Sequence, residues 1–329
     1  MSRFPFPRYP NGWFQVAYSA ELPPGAVKPL SYFGRELVLY RSEAGSAHVL
    51  DAYCPHLGAH LGYGGKVEGD CVRCPFHAWR FDGSGSCVEV PYAKKIPPKA
   101  KLAAWPVCEK NGLIMLHYDA RGLPPSWELP EIPEYGSPEW TPYEYRSWKI
   151  RTHNQEMAEN SCDSAHFFYL HGTQEMPSSK AEMHGHVLHT LSETLMKTPQ
   201  GKTRGSVEVH AYGFGFTLTR FRGIVETLLV SSATTIDEEY VELRFAFTVK
   251  KLVNQDVTST VGQAFIREVT RQLEQDIPIW ENKRYVDPPL LVDGDGPIGL
   301  FRRWARQFYT EPNGSPSAEL VRHGAPASA

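Results

Sequence analysis

The chain has 329 residues, enough for two domains with cores of their own, since domains usually run to roughly 100 to 200 residues. Its 34 Lys and Arg are interspersed with 37 Asp and Glu for a net charge of −3, so no broad positive field suits nucleic acid. No segment approaches the roughly 18 consecutive apolar residues of a transmembrane segment, and the opening Met-Ser-Arg-Phe-Pro-Phe-Pro-Arg lacks the layout of a secretion signal, which predicts a soluble, cytoplasmic protein.

Short alternating or β-branched segments at 13–17, 36–40, 48–52 and 113–118, set between Gly, Pro and Asp turns, predict a small all-β domain over residues 1–120. Within it, Cys54-Pro55-His56 and Cys74-Pro75-Phe76-His77 are separated by 17 residues. This spacing fits a Rieske [2Fe-2S] cluster, with Cys54 and Cys74 on one iron and His56 and His77 on the other. A zinc site built from Cys71, Cys74 and His77 is the alternative, but it leaves the near-symmetry of the two motifs unexplained. Gly58, Gly62, Gly64, Gly65 and Gly83 suit two tight loops. Cys71, Cys87, Cys108 and Cys162 are then spare thiols, in keeping with a reducing compartment.

Six prolines between Gly122 and Pro142 mark residues 121–146 as a semi-rigid connector. Residues 147–310 form the second predicted domain. It opens with a helix or pair of helical turns over 152–171, followed by strands at 187–198, 203–210, 214–220, 225–234 and 240–249 and a long helix over 263–283. This order is an α+β layout whose concave antiparallel sheet can hold a sizeable ligand. The Pro/Gly/Ser/Ala-rich stretch 311–329 is expected to be loosely ordered.

The segment Asn160-Ser-Cys-Asp163-Ser-Ala-His166-Phe-Phe-Tyr-Leu-His171 carries an amide, a carboxylate and two imidazoles. On a helix Asp163 and His166 share a face, whereas His166 and His171 converge only through a π-bulge or distorted turn. Two histidines and one carboxylate make the facial triad of non-haem Fe(II) sites, which leaves positions open for O2. In the late helix Phe265, Val269, Leu273, Ile277 and Trp280 form an apolar stripe that includes Asp276. A carboxylate there is either metal-bound or hydrogen-bonded to a structural partner.

These motifs, in this order, resemble the oxygenase components of Rieske non-haem iron oxygenases over about Tyr9 to Tyr309. Ala59 and Phe76 stand where respiratory Rieske proteins carry a disulfide, so the cluster resembles the low-potential type. Residues 51–59, 90–93, 166–171 and 279–283 are similar to cholesterol 7-desaturases and 3-ketosteroid 9α-hydroxylase oxygenases. The resemblance implies an N-terminal Rieske domain and a helix-grip catalytic domain acting on a sterol or steroid by C-7 desaturation or ring hydroxylation, with 9α-hydroxylation of a 3-ketosteroid or C-4 demethylation as alternatives. It implies that His166, His171 and Asp276 bind the mononuclear iron and that Asn160 lies near it. Asp163 would bridge a neighbouring subunit's cluster histidine to His166, which implies a homotrimer. The animal desaturases carry an N-terminal membrane anchor that is not expected here, leaving at most transient membrane contact.

No dinucleotide-binding glycine motif opens a helix after a strand, so an NAD(P)H-dependent reductase, with or without a ferredoxin, must supply electrons. Lys94, Lys95, Lys99 and Lys101 are a candidate for its docking surface, with a solvated loop as the alternative. Phe167, Phe168, Phe214, Phe216, Phe245 and Phe247 are equally consistent with pocket and core. His184, His186 and His189 look metal-like, but His189 falls on the opposite face of a strand, against a third metal site there. Two competing readings are a Rieske electron carrier without catalysis and an oxygenase for an aromatic acid or methyl ether. The second requires a small pocket with an Arg or Lys.

Overall fold

The computed structural model describes residues 3–7, 9–198, 201–252 and 254–310; the expected loose tail lies outside them. The first part is built from β1 (Gly12–Tyr18), β2 (Val27–Tyr32), β3 (Arg35–Arg41), β4 (Ala47–Asp51), β5 (Lys66–Glu68), β6 (Cys71–Arg73), β7 (Arg80–Phe81), β8 (Cys87–Glu89), β9 (Ala104–Trp105), β10 (Val107–Lys110) and β11 (Leu113–Tyr118). They form three antiparallel sheets, in the orders β1-β11-β10, β2-β3-β4-β9 and β5-β6-β7-β8. Alternation places Leu37 and Leu39 of β3 in one core, with Phe14 and Ile114, and Val38 and Tyr40 in a second, with Leu50, Val72 and Phe81. The second core also receives Cys54, Cys74 and Trp79, which anchors both cysteine loops.

From Gly122 the chain runs without strand or helix to β12 (Glu144–Ile150), which already belongs to the large sheet. Then come α1 (Asn154–Glu159), α2 (Ser164–Tyr169), β13 (Ser178–His184), β14 (Val187–Thr198), β15 (Gly201–Tyr212), β16 (Phe216–Arg222), β17 (Thr227–Thr235), β18 (Val241–Val249), α3 (Gln255–Asn282) and α4 (Ile298–Ala305). The seven strands form one antiparallel sheet in the order β12-β18-β17-β16-β15-β14-β13. In β15 to β18 odd-numbered residues such as Leu229, Leu243 and Phe245 face α3, and even-numbered ones such as Leu218, Val230 and Ala246 face Trp13, Tyr18 and Met115 of the first domain; the parity reverses in β12 and β14.

β1 is pinned across that second face by polar groups. Gln15 N donates to Ser232 Oγ at 3.2 Å, while Thr234 Oγ1 (2.6 Å) and Arg244 Nη1 (3.1 Å) both donate to Gln15 O. Gly215 is required here, because a Cβ at that position would lie 2.2 Å from Trp13 O.

α3 starts eight residues before the sequence predicts. Asn254 caps it, its side chain accepting from Asp256 N at 2.7 Å. The first two turns are rich in β-branched residues and contain Gly262, a weak helical signal; Gly262 packs against Val249. Missed altogether were α4, which is short and preceded by Pro and Gly, and the strands β12 and β13, whose half-exposed polar patterns suit the two edges of the sheet.

His153 caps α1, with Nδ1 accepting from Gln155 N at 3.2 Å, and it is boxed in by Phe4, Phe6 and Tyr309. Complete burial pushes its pKa from the usual 6.5 down to about 3. A lowered histidine keeps its stabilising effect above the unfolded value and loses it as pH falls from 6.5 toward 3. At pH 5 the loss should be about 2 kcal/mol. The urea midpoint should drop between pH 7 and pH 5, and His153→Asn, which keeps a capping oxygen, should flatten that drop. An unchanged pH dependence in the variant would refute this role.

Candidate active site and cluster loops

The two cysteine loops repeat one backbone design. Cys54 N donates to Ala59 O at 2.9 Å and Gly58 N to Cys54 O at 2.9 Å; Cys74 N donates to Trp79 O at 2.8 Å and Ala78 N to Cys74 O at 3.2 Å. The fourth residue after each cysteine is left-handed, with φ +75° at Gly58 and +58° at Ala78. Glycine fits that conformation freely, whereas Ala78 adopts it at a cost of about 1 kcal/mol.

Both thiols are buried side by side, at 3% and 2% exposure. The His56 and His77 rings meet edge-on with centroids 4.6 Å apart. Among the described residues, no three of these four side chains have donor atoms mutually within 4.8 Å. Thiols thus pair with thiols and imidazoles with imidazoles, an arrangement for two irons rather than one tetrahedral zinc. Burial, and then the neighbouring Cys74, push the Cys54 thiol up to about 11, so paired thiolates need a cation between them. His56 Nδ1 is buried without a hydrogen-bond partner, a lone pair available to a metal. His56 stacks on Trp79 (4.7 Å, 10°), whose Nε1 donates to Tyr92 Oη at 2.8 Å.

In the second domain the expected helical pair is present, but Asp163 is not on a helix face. It is extended (φ −98°, ψ 105°) and caps α2, its Oδ1 accepting from Ala165 N at 3.0 Å and His166 N at 3.2 Å. A short polar side chain with two amides ahead of it favours the cap over a further helical turn. The expected distortion between the histidines is there, since His171 N donates to His166 O at 3.3 Å in a five-residue π-type turn.

His166 Nδ1 lies 2.7 Å from Asp163 O, and His171 Nδ1 lies 3.1 Å from Gln275 Oε1, so in each ring Nε2 remains for another partner. His171 Nε2 stands 3.4 Å from Asp276 Oδ1, and one ligand atom from each of His166, His171 and Asp276 lies within 4.8 Å of the others. Burial opposes charge on His171, but Asp276 and Gln275 outweigh it and raise its pKa. Burial likewise opposes ionisation of Asp163, and contacts with His166 and two amides outweigh it, so the carboxylate pKa falls. Asn160 lines the same cavity, its Oδ1 accepting from Trp280 Nε1 at 3.3 Å. Gln275 was missed because its role depends on a contact 104 residues away in sequence.

The cavity beside this group has a volume of about 230 Å³, just below the usual range of sites for drug-sized ligands (roughly 300–1,000 Å³). Val207, Val209, Thr217, Leu229 and Ser231 form its sheet wall, and Leu273 and Trp280 contribute from α3. Of the six aromatics left open between pocket and core, Phe167, Phe214 and Phe245 line it; Phe216 and Phe247 are core, and Phe168 sits at the surface. No Arg or Lys lines it among the described residues, and Asp276 is its only carboxylate.

A thiol/imidazole pair of loops in one domain, and a two-histidine, one-carboxylate group at the end of an apolar cavity in the other, define a two-centre oxygenase. Residues 12–106 match the Rieske [2Fe-2S] domain and residues 116–309 the 3-ketosteroid 9alpha-hydroxylase C-terminal domain. A cholesterol 7-desaturase from Xenopus laevis is 32% identical over 97% of this chain and 75% of its own. The oxygenase component of a 3-ketosteroid-9-alpha-monooxygenase from Rhodococcus rhodochrous is 33% identical over 92% of this chain and 82% of its own. Dicamba monooxygenase bound to dicamba shares the fold at a TM-score of 0.75, with 16% identity over 92% of this chain and 98% of that one. The chain belongs to the Rieske non-haem iron oxygenases, enzymes that use a [2Fe-2S] cluster, non-haem Fe(II) and O2 with electrons from a separate reductase. No described helix is long and apolar enough to cross a membrane.

Proposed function

We propose that this enzyme oxidises a sterol or steroid ring, by desaturation near C-7 or by ring hydroxylation, at a mononuclear iron held by His166, His171 and Asp276. The observation that carries this reading is the cavity, which is mostly apolar, free of Arg and Lys among its described lining residues, and ended by the cluster of His166, His171 and Asp276. An aromatic acid would need a cation to pair its carboxylate. Such a pocket excludes water from the reacting ring, while Thr217 and Ser231, directly paired across β16 and β17, offer hydroxyls to a substrate oxygen. When bound, the iron supplies O2 activation and the cluster supplies single electrons. Mass spectrometry of a sterol panel incubated with the iron-loaded protein, O2 and a surrogate reductase tests the proposal. Loss of two hydrogens or gain of one oxygen on a sterol supports it, and an unreacted panel refutes it.

Cys54, Cys74, His56 and His77 would hold the cluster. Around it Leu57 (65%), Phe76 (62%) and Tyr92 (62%) are exposed, as is Tyr169 (79%) on α2 close to Asp163. Two separate apolar patches suit a head-to-tail contact that closes as a ring, so we infer a homotrimer in which Asp163 Oδ2, free of its capping bonds, meets the next subunit. The exposed lysines 94, 95, 99 and 101 follow Tyr92 and offer the reductase a positive surface.

Gln275 fixes the ring of His171 without touching the metal. Gln275→Leu should weaken iron binding by about 10- to 100-fold. Iron retention against a graded chelator checks this, with Gln275→Glu expected to restore most of the affinity.

A further inference from the structure

His189, Glu208 and His210 form a second compact ligand group, on the sheet face away from α3. His189 of β14 and His210 of β15 are directly paired across the strands, and Glu208 lies two residues from His210 on the same face. One ligand atom from each lies within 4.8 Å of the others. The sequence set His189 against His184 and His186 and missed the group, because its partners come from the next strand rather than from nearby in the chain.

His189 Nε2 and His210 Nδ1 are both sealed from water without a hydrogen-bond partner, although His189 Nε2 is only 3.3 Å from Glu208 Oε1. Two orphan imidazole nitrogens beside a carboxylate need an explanation. A separation of 3.3 Å is that of two ligands on one tetrahedral ion, since metal–ligand bonds of about 2.0 to 2.1 Å give an edge of about 3.4 Å. At the His171/Asp276 pair the spacing is 3.4 Å.

The surroundings prepare the donors. Arg222 Nη1 donates to Glu208 Oε2 at 2.8 Å, orienting the carboxylate and leaving Oε1 toward His189. Arg220 is taken up by Glu134 through two bonds of 2.7 and 3.1 Å.

We propose that His189, Glu208 and His210 bind a divalent transition ion of the zinc type, separate from both iron centres, which clamps β14 to β15. Two imidazoles and one carboxylate form a recognised zinc donor set with a fourth position for water.

The test is a Zn2+ titration of the iron-loaded protein, read by metal analysis and zinc-edge X-ray absorption. Wild type should take up one zinc per chain beyond its iron, with nitrogen and oxygen first-shell ligands. His189→Ala, His210→Ala and Glu208→Gln should each weaken uptake at least 100-fold while cluster absorption and iron content stay unchanged, and Glu208→Gln, the smallest change, guards against misfolding. His171→Ala should keep the zinc. Absence of extra zinc, zinc retained by His189→Ala, or zinc lost in His171→Ala would each overturn the proposal.

Discussion

Replacing His166 with alanine should reduce turnover by more than about 100-fold and remove the mononuclear iron, while the optical bands of the cluster persist. The two centres are built by separate domains with separate cores, so nothing in the cysteine loops depends on His166. The imidazole is held by the 2.7 Å contact of Nδ1 with Asp163 O, a backbone group that remains in the variant, so the local fold should survive. Metal analysis and visible absorption on one sample decide the matter. Concerted loss of the cluster and the mononuclear iron would contradict separate sites.

Asp163→Asn should separate the two tasks of one side chain. An asparagine oxygen can still accept from the amides of Ala165 and His166, so the cap and the fold should change by less than about 1 kcal/mol. What disappears is the charge on Oδ2, which lies 3.7 Å from His166 Nδ1 and is open to an outside partner. Both metals should stay bound while turnover falls about 100-fold, with the loss in the transfer of electrons from the reduced cluster. Product formed in a single turnover of pre-reduced protein measures this directly. A rate near that of wild type would remove Asp163 from the path between centres.

Most of the candidate site was legible in the sequence because its chemistry is local. Cys54/His56 and Cys74/His77 each lie within one loop, and His166 and His171 lie within one turn of chain, so spacing alone exposed them. Asp276 was reachable because helical periodicity places it in a stripe with Leu273 and Trp280, and it is buried there.

What escaped depends on contacts between distant segments. Gln275 adjoins Asp276, yet only its contact with His171 gives it a role. His210 and Glu208 meet His189 only through strand register, and the helical assignment of Asp163 failed because capping geometry competes with helical periodicity. The edge strands β12 and β13 escaped for a different reason, since half-exposed strands lack the apolar alternation that marks central ones.

The central claim is that a steroid binds beside an iron held by His166, His171 and Asp276, and it can be tested without any reductase. Nitric oxide added to the ferrous protein should give the electron paramagnetic resonance signal of a non-haem iron, absent in His166→Ala and altered in wild type by a saturating sterol or 3-ketosteroid. A fully iron-loaded wild type that gives no such signal, or one unchanged by every steroid tried, would contradict the account.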